Sequence, residues 1–266
     1  MNLFFIAKIF QTVNGLGEAT QEEKMTANKI LQDDEEGKRE ERCFRMWINN
    51  LKLENVKKIN NLYEESRSAL LLLYIIDKIK PGTVEWKKVE LKKTRNPFKI
   101  GVNSQEVIDS CKRSGYCIIS IGNKDIQEGK KKHILAIVWQ LMRAYTLKSC
   151  GEKSEEELIA WSNSKVPEYL KIKSLKDKKL NDGLFWIELI SSIYPGCINW
   201  NYVSKDNLTD NQKEMNAKYI LSVTRSLGAC NFAVLEDIVE VKPKILLTLL
   251  ASLYYISKIH KKNNYY

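Results

Sequence analysis

Apolar residues recur at helical spacing through most of this chain. Phe44, Trp47, Ile48 and Leu51 stand at i, i+3, i+4 and i+7, a one-sided stripe that a helix of about three turns would bury. Residues 68–80 are richer still in leucine and isoleucine. That run stops at Pro81-Gly82, because proline cannot continue the hydrogen-bond ladder. The spacing predicts a third helix over 103–114, ended by Gly115 in a left-handed cap, and a last helix over 130–147. The apolar run 117–121 has no strand to pair with and reads as a buried extended connection.

The same pattern is written twice. Trp47 and Trp161, Pro81 and Pro195, Gly82 and Gly196, Trp86 and Trp200, and Val89 and Val203 are each 114 positions apart. Gly115 and Gly228 follow at 113, then Asp125-Ile126 and Asp237-Ile238 at 112. A register that drifts while the residues persist marks a duplicated domain. The expected units are 38–149 and 152–260, each all-helical with about four main helices, and the second has helices near 182–194, 211–227 and 241–258. Residues 261–266 read as a tail. The second copy of the last helix repeats the apolar face of Ile134, Ile137, Val138, Leu141, Met142 and Tyr145 with Leu246, Leu249, Leu250, Leu253 and Tyr254. Trp139 lies off that face and aligns with Ala251.

Composition narrows the class. With 44% hydrophobic and 29% charged residues among 266, the chain has the make-up of a soluble globular protein. The longest apolar runs, 70–76 and 245–253, fall far short of the roughly 18 residues a bilayer span requires. The first ten residues are apolar but lack a basic leader and a small-residue cleavage pattern, so no secretory signal is expected. Cys43, Cys111, Cys117, Cys150, Cys197 and Cys230 are scattered without a CxxC pair and read as buried thiols in a reducing compartment. A cytoplasmic location follows as the expectation. The sequon at Asn207-Leu208-Thr209 has meaning only in a secreted chain.

Charge is unevenly shared. Residues 1–37 carry 3 basic and 7 acidic side chains, residues 38–150 carry 24 and 12, and residues 151–266 carry 16 and 14. The first domain therefore sets up a field that attracts an acidic partner, acting on encounter rate and salt sensitivity rather than on fold.

Enzyme chemistry finds little support. The two histidines are His133, in a lysine-rich helix start, and His260, in the tail, and neither has metal-ligand spacing around it. Gly15-Leu16-Gly17 lacks the third glycine of a dinucleotide loop. The acidic run Asp33–Glu36 lacks the alternating oxygen ligands of a calcium loop and reads as a solvated linker or helix start. We expect no catalytic residue, no metal and no cofactor.

Several motifs together resemble the calponin-homology domain. They are Arg45-Met46-Trp47-Ile48-Asn49, the Pro81-Gly82-Thr83-Val84-Glu85-Trp86 turn, Gly122-Asn123-Lys124-Asp125-Ile126, and Ile137-Val138-Trp139-Gln140-Leu141. Asp182-Gly183-Leu184-Phe185, Asn216-Ala217-Lys218-Tyr219 and Glu236-Asp237-Ile238-Val239 are similar to the C-terminal half of the fimbrin (plastin) family. The first ten residues are similar to the closing helix of the preceding domain in that family, so the chain looks like a fragment whose residues 1–37 end one domain and link to the next. The first copy departs at Ser68-Ala69-Leu70, where the second copy and the family have Asp-Gly-Leu. Some loss of stability is expected there.

That resemblance implies a non-catalytic F-actin-binding module of an actin-bundling protein, in the actin cytoskeleton, with the first domain as main contact. The implied actin-binding residues are Lys38, Arg39, Arg42 and Arg45 on the first helix and its flank. Lys130, Lys131, Lys132, His133, Trp139 and Arg143 on the last helix of the first domain complete the set. A large aromatic on a helix shoulder is a candidate anchor, although packing against the other domain or its own core would explain Trp139 equally. The chain is expected to be a monomer with neither a membrane nor a nucleic-acid partner. Basic charge alone would permit phosphate contacts, but no zinc-finger spacing or RNA-binding aromatic signature accompanies it. A calponin-homology scaffold for microtubules or signalling proteins is the other alternative, against which the tandem array argues.

Overall fold

The computed structural model describes residues 37–92, 94 and 96–263, with side chains as far as Ile259. The expectations for residues 1–36, for the tail beyond Asn263 and for the His260 side chain lie outside the described residues. Contacts set the stretch up to Glu40 apart from Glu41 onward.

Each copy is a stack of helices around one buried central helix. In the first, α1 covers 37–50, followed by α2 (Leu62–Ser66), α3 (Leu70–Ile79), α4 (Pro97–Arg113), α5 (Asn123–Gln127) and α6 (Lys131–Ser149). The second has α7 (Glu155–Asn163), α8 (Leu184–Ile193), α9 (Asp210–Ser226), α10 (Leu235–Val239) and α11 (Pro243–Asn263). Short 3-10 turns at Trp86–Lys88 and Trp200–Tyr202 follow the two Pro-Gly stops. Among the described residues no strand forms, and the fold is all-α. The central helix of each copy is buried almost all round: Leu72, Leu73, Ile75 and Ile76 in α3, Phe185, Trp186, Ile187 and Ile190 in α8. Each such side chain stabilises the fold by about 1.5–3 kcal/mol on leaving water.

The repeated motifs have identifiable physical work. Asp125 accepts the Gly122 N–H at 2.8 Å and Asp237 accepts the Val234 N–H at 2.8 Å, so each aspartate closes the start of its short helix while the next residue, Ile126 or Ile238, is fully buried. Gly115 and Gly228 stand at φ +82° and +80°, where the chain reverses and the following N–H returns to Cys111 or Thr224. Two asparagines per copy fasten loops to helices. Asn49 donates to the Ile59 carbonyl and accepts its N–H, and Asn163 does the same with Ile172. Asn103 exchanges both bonds with Glu90, as Asn216 does with Ser204.

Two expectations are corrected. Helix α4 starts at Pro97, six positions before 103: Asn96 accepts the Phe98 N–H at 3.0 Å, and proline suits a first-turn position where no N–H is needed. Its first turn has no apolar stripe to announce it. The connection 117–121 is not buried, since Cys117 and Ser120 are exposed and Ile119 is 75% exposed. It is fastened instead by Gln140, which accepts the Cys117 N–H and donates to its carbonyl, both at 2.8 Å.

Candidate functional site

The basic start of α6 is built by α5. One oxygen of Asp125 caps α5, and the other accepts the Lys130 ammonium at 2.6 Å, with Glu128 3.7 Å from the same nitrogen. That hydrogen bond lifts the Lys130 pKa above the usual lysine value and, with the Gly122 N–H, holds Asp125 below the usual carboxylate range. Lys130 is thus partly neutralised. Lys131 and Lys132 are exposed in the first turn of α6, and the Lys131 ammonium lies 5.9 Å from the centre of the Tyr63 ring. His133 is half-buried, its Nδ1 3.7 Å from Asp125, beyond hydrogen-bond reach.

On α1, Lys38 and Arg42 are exposed, whereas Arg39 and Arg45 are half-buried. Arg45 folds back along its helix onto Glu41 at 3.0 Å, and Glu41 also accepts the Leu62 N–H at 3.1 Å. Phe44 stacks on Trp139 with ring centres 6.4 Å apart. Trp139, half-buried, also has the Lys244 ammonium of the second copy 5.9 Å from its ring centre. Arg143, one turn further on, is exposed. The Glu156 carboxyl is held below its usual range by hydrogen bonds from the Glu156 N–H and Ser154, with the charge of Arg143 adding to them. The sequence-named residues of α6 therefore divide into a basic start and, about 12 and 18 Å along the helix axis, Trp139 and Arg143 beside the second copy.

The seam between the copies runs along α6 and α11. Cys150 donates to the Ala251 carbonyl at 3.4 Å, and Asn50 donates to the Cys230 sulfur at 3.3 Å. Beside them lies a cleft of about 260 Å³, with Trp47, Met142 and Tyr145 on one wall and Phe232, Thr248 and Tyr255 on the other. The expectation of six buried thiols holds for Cys43, Cys111 and Cys150. It fails for Cys117 and Cys230, which are exposed, and for Cys197, which is half-buried. Cys117 sits on the outward connection and Cys230 lines the cleft, positions that depend on tertiary contacts. Burial pushes the Cys111 thiol up to about 12 and Cys150 up to about 11, so both stay protonated at neutral pH.

A buried charge that sequence reasoning passed over is structural. Glu106, 4% exposed, accepts the Glu85 N–H at 2.9 Å and the Ser110 hydroxyl at 2.8 Å, and is paired with Arg113. Arg113 also donates to the Thr83 carbonyl, at 3.0 and 3.2 Å. The corresponding place in the second copy is filled by the Tyr219 hydroxyl, which accepts the Asn199 N–H at 2.7 Å. The 113-residue offset from Glu106 to Tyr219 was a usable signal. Among the described residues no group of three or more His, Cys, Asp or Glu could hold a metal, and no helix is long and apolar enough to cross a membrane.

Two helical copies with this order of motifs match the calponin homology (CH) domain, over residues 38–147 and 152–259. The chain belongs to the calponin homology family, as a tandem of two such domains. It is similar to fimbrins and plastins. It is 37% identical to Fimbrin-3 of Arabidopsis thaliana over 269 residues, covering 97% of this chain and 37% of that one. With human Plastin-3 it is 36% identical over 271 residues, covering 95% of this chain and 41% of that one. Among solved structures it is similar to the actin-crosslinking core of Schizosaccharomyces pombe fimbrin. There the TM-score is 0.73 and the identity 32%, over 95% of this chain and 52% of that chain. The chain spans about two fifths of the length of these curated relatives.

Proposed function

We propose that this chain is a non-catalytic F-actin-binding module of a fimbrin-type bundling protein, binding one filament through its first domain in the cytoplasm. The observation that carries this reading is the likeness, along nearly the whole chain, to the actin-crosslinking core of a fimbrin. Charge supports the choice of domain. The first copy carries 24 basic and 12 acidic side chains over 38–150 against 16 and 14 over 151–266, and filament surfaces are acidic. We assign the first encounter to the exposed cations Lys38, Arg42, Lys131 and Lys132, and include Arg39, Arg45, Lys130 and His133 in the set. Trp139 and Arg143 face the second copy, so their contribution depends on how far the two copies part.

Filament co-sedimentation tests this. Replacing Lys130, Lys131 and Lys132 with Glu should weaken binding by about tenfold at low salt, with the difference shrinking as the ~8 Å physiological screening length shortens further. The Lys131→Glu/Lys132→Glu pair, which keeps the Lys130–Asp125 bridge, should show most of the effect. Helicity should hold, because acidic residues suit a helix N-terminus. Equal binding by all forms across a salt series would remove the basic start of α6 from the interface.

Valency gives a second expectation. One tandem should decorate filaments without crosslinking them, since bundling needs two filament-binding modules. Low-speed sedimentation of filaments with the monomeric chain should leave them in the supernatant; robust bundles would contradict a single binding module.

A further inference from the structure

The charge excess of the first copy is not confined to α1 and α6. Residues 86–102 carry six basic side chains and one acidic, whereas the matching 200–215 carry two basic and three acidic. This stretch also holds apolar side chains in the solvent: Leu91 is 56% exposed, Phe98 87% and Val102 49%. Phe98 and Val102 stand one turn apart on α4 and so share a face. Leu91 is brought beside that turn by its neighbour Glu90, whose carboxylate binds Lys99 at 2.5 Å and whose backbone is held at both ends by Asn103. In the second copy the positions of Leu91 and Phe98 are taken by Lys205 and Asn211. The second copy also exposes Tyr202 and Met215, the latter at the position of Val102, but without the lysine excess and without a counterpart of Phe98 or Leu91.

We propose that this tip is a peripheral membrane-contact site, in which Phe98, Leu91 and Val102 enter the headgroup boundary of an anionic bilayer while Lys87 and Lys92 meet its phosphates and carboxylates; Lys88 and Lys99 are paired with Glu85 and Glu90. Two features favour a bilayer over an acidic protein. The apolar groups project: a ring 87% exposed enters a deformable surface, whereas a protein partner would have to supply a fitted pocket. Lysines around an apolar tip also match the interfacial pattern, in which aliphatic stems lie along the apolar layer and ammonium groups reach outward. Such contact needs no spanning helix, so the expectation of no membrane partner, which rested on the absence of one, does not bear on it.

Vesicle co-sedimentation of the whole chain decides the matter. The wild type should pellet with vesicles of phosphatidylcholine mixed with phosphatidylserine and remain soluble with phosphatidylcholine alone. Phe98→Ser should weaken the mixed-vesicle partition by about tenfold, the scale set by one large apolar side chain, and Lys87→Gln/Lys92→Gln should weaken it and flatten its salt dependence. Both variants alter exposed residues and should keep the wild-type melting curve. Absence of binding to the anionic vesicles, or equal binding by Phe98→Ser, overturns the proposal. So does loss of filament binding by Phe98→Ser with vesicle binding intact, which would assign the tip to protein, and so does a Phe98-dependent dimer in gel filtration.

Discussion

Replacing Arg113 with methionine should destabilise the first domain by about 3–5 kcal/mol, the cost of leaving a buried carboxylate without its partner. Glu106 is almost fully enclosed, and three of its contacts come from one neighbourhood: the Glu85 N–H, the Ser110 hydroxyl and the Arg113 guanidinium. Removing the carboxylate as well should restore much of the loss, because the double variant Arg113→Met/Glu106→Gln leaves no stranded charge and keeps an acceptor for Glu85. Tyr219→Phe in the second copy is the matched control. It deletes a neutral acceptor doing the same job for Asn199 and should cost only about 1 kcal/mol. Urea midpoints at unchanged slope measure all three. A single Arg113→Met loss no larger than that of Tyr219→Phe would mean that the ion pair contributes nothing beyond a neutral bond.

The second large effect is expected at Gly183. This residue sits at φ +81°, buried, at the start of α8, and a Cβ there would lie 2.9 Å from Ile220 Cδ1 and 3.2 Å from Asn216 Cβ. Gly183→Ala should therefore cost about 3 kcal/mol, part from the left-handed backbone and part from overpacking. The first copy contains the natural answer to that crowding. Ala69 occupies the corresponding position at φ +64° with no exposure, and the residue matching Ile220 is Val107, which has no δ carbon. Ile220→Val alone should cost about 1 kcal/mol, yet on the Gly183→Ala background it should recover stability. Simple additivity of the two losses in a denaturant titration would show that Ile220 is not what resists the methyl group. The loss expected at Ser68-Ala69 from the sequence is thus offset in packing, while the backbone strain remains.

The duplication and the helices were readable because they depend on spacing along one dimension. Pro81-Gly82, Gly115 and Asp125-Ile126 act within a few residues of themselves, so their positions alone disclose a stop, a cap and a start. The asparagine clamps were not readable, since Asn49 meets Ile59 and Asn103 meets Glu90 only once a loop has returned to its helix. The same limit applies to the candidate surface. Periodicity set Trp139 off the core face, but its neighbours Phe44 and Lys244 lie about 100 positions away in each direction, and only the fold brings them to one ring. Likewise an apolar run such as 117–121 suggests burial by composition, yet it is held at the surface by the Gln140 amide.

The seam along α6 and α11 bears on how the chain would respond to force or to a partner. The buried apolar residues of the two copies form one continuous cluster, while the joint also uses weak hydrogen bonds to thiol groups and leaves unfilled space beside them. A shift of the second copy along this seam would carry the Lys244 ammonium away from the indole of Trp139, so a tether or lattice acting on the pair would change what that ring presents before it disturbed either helix stack.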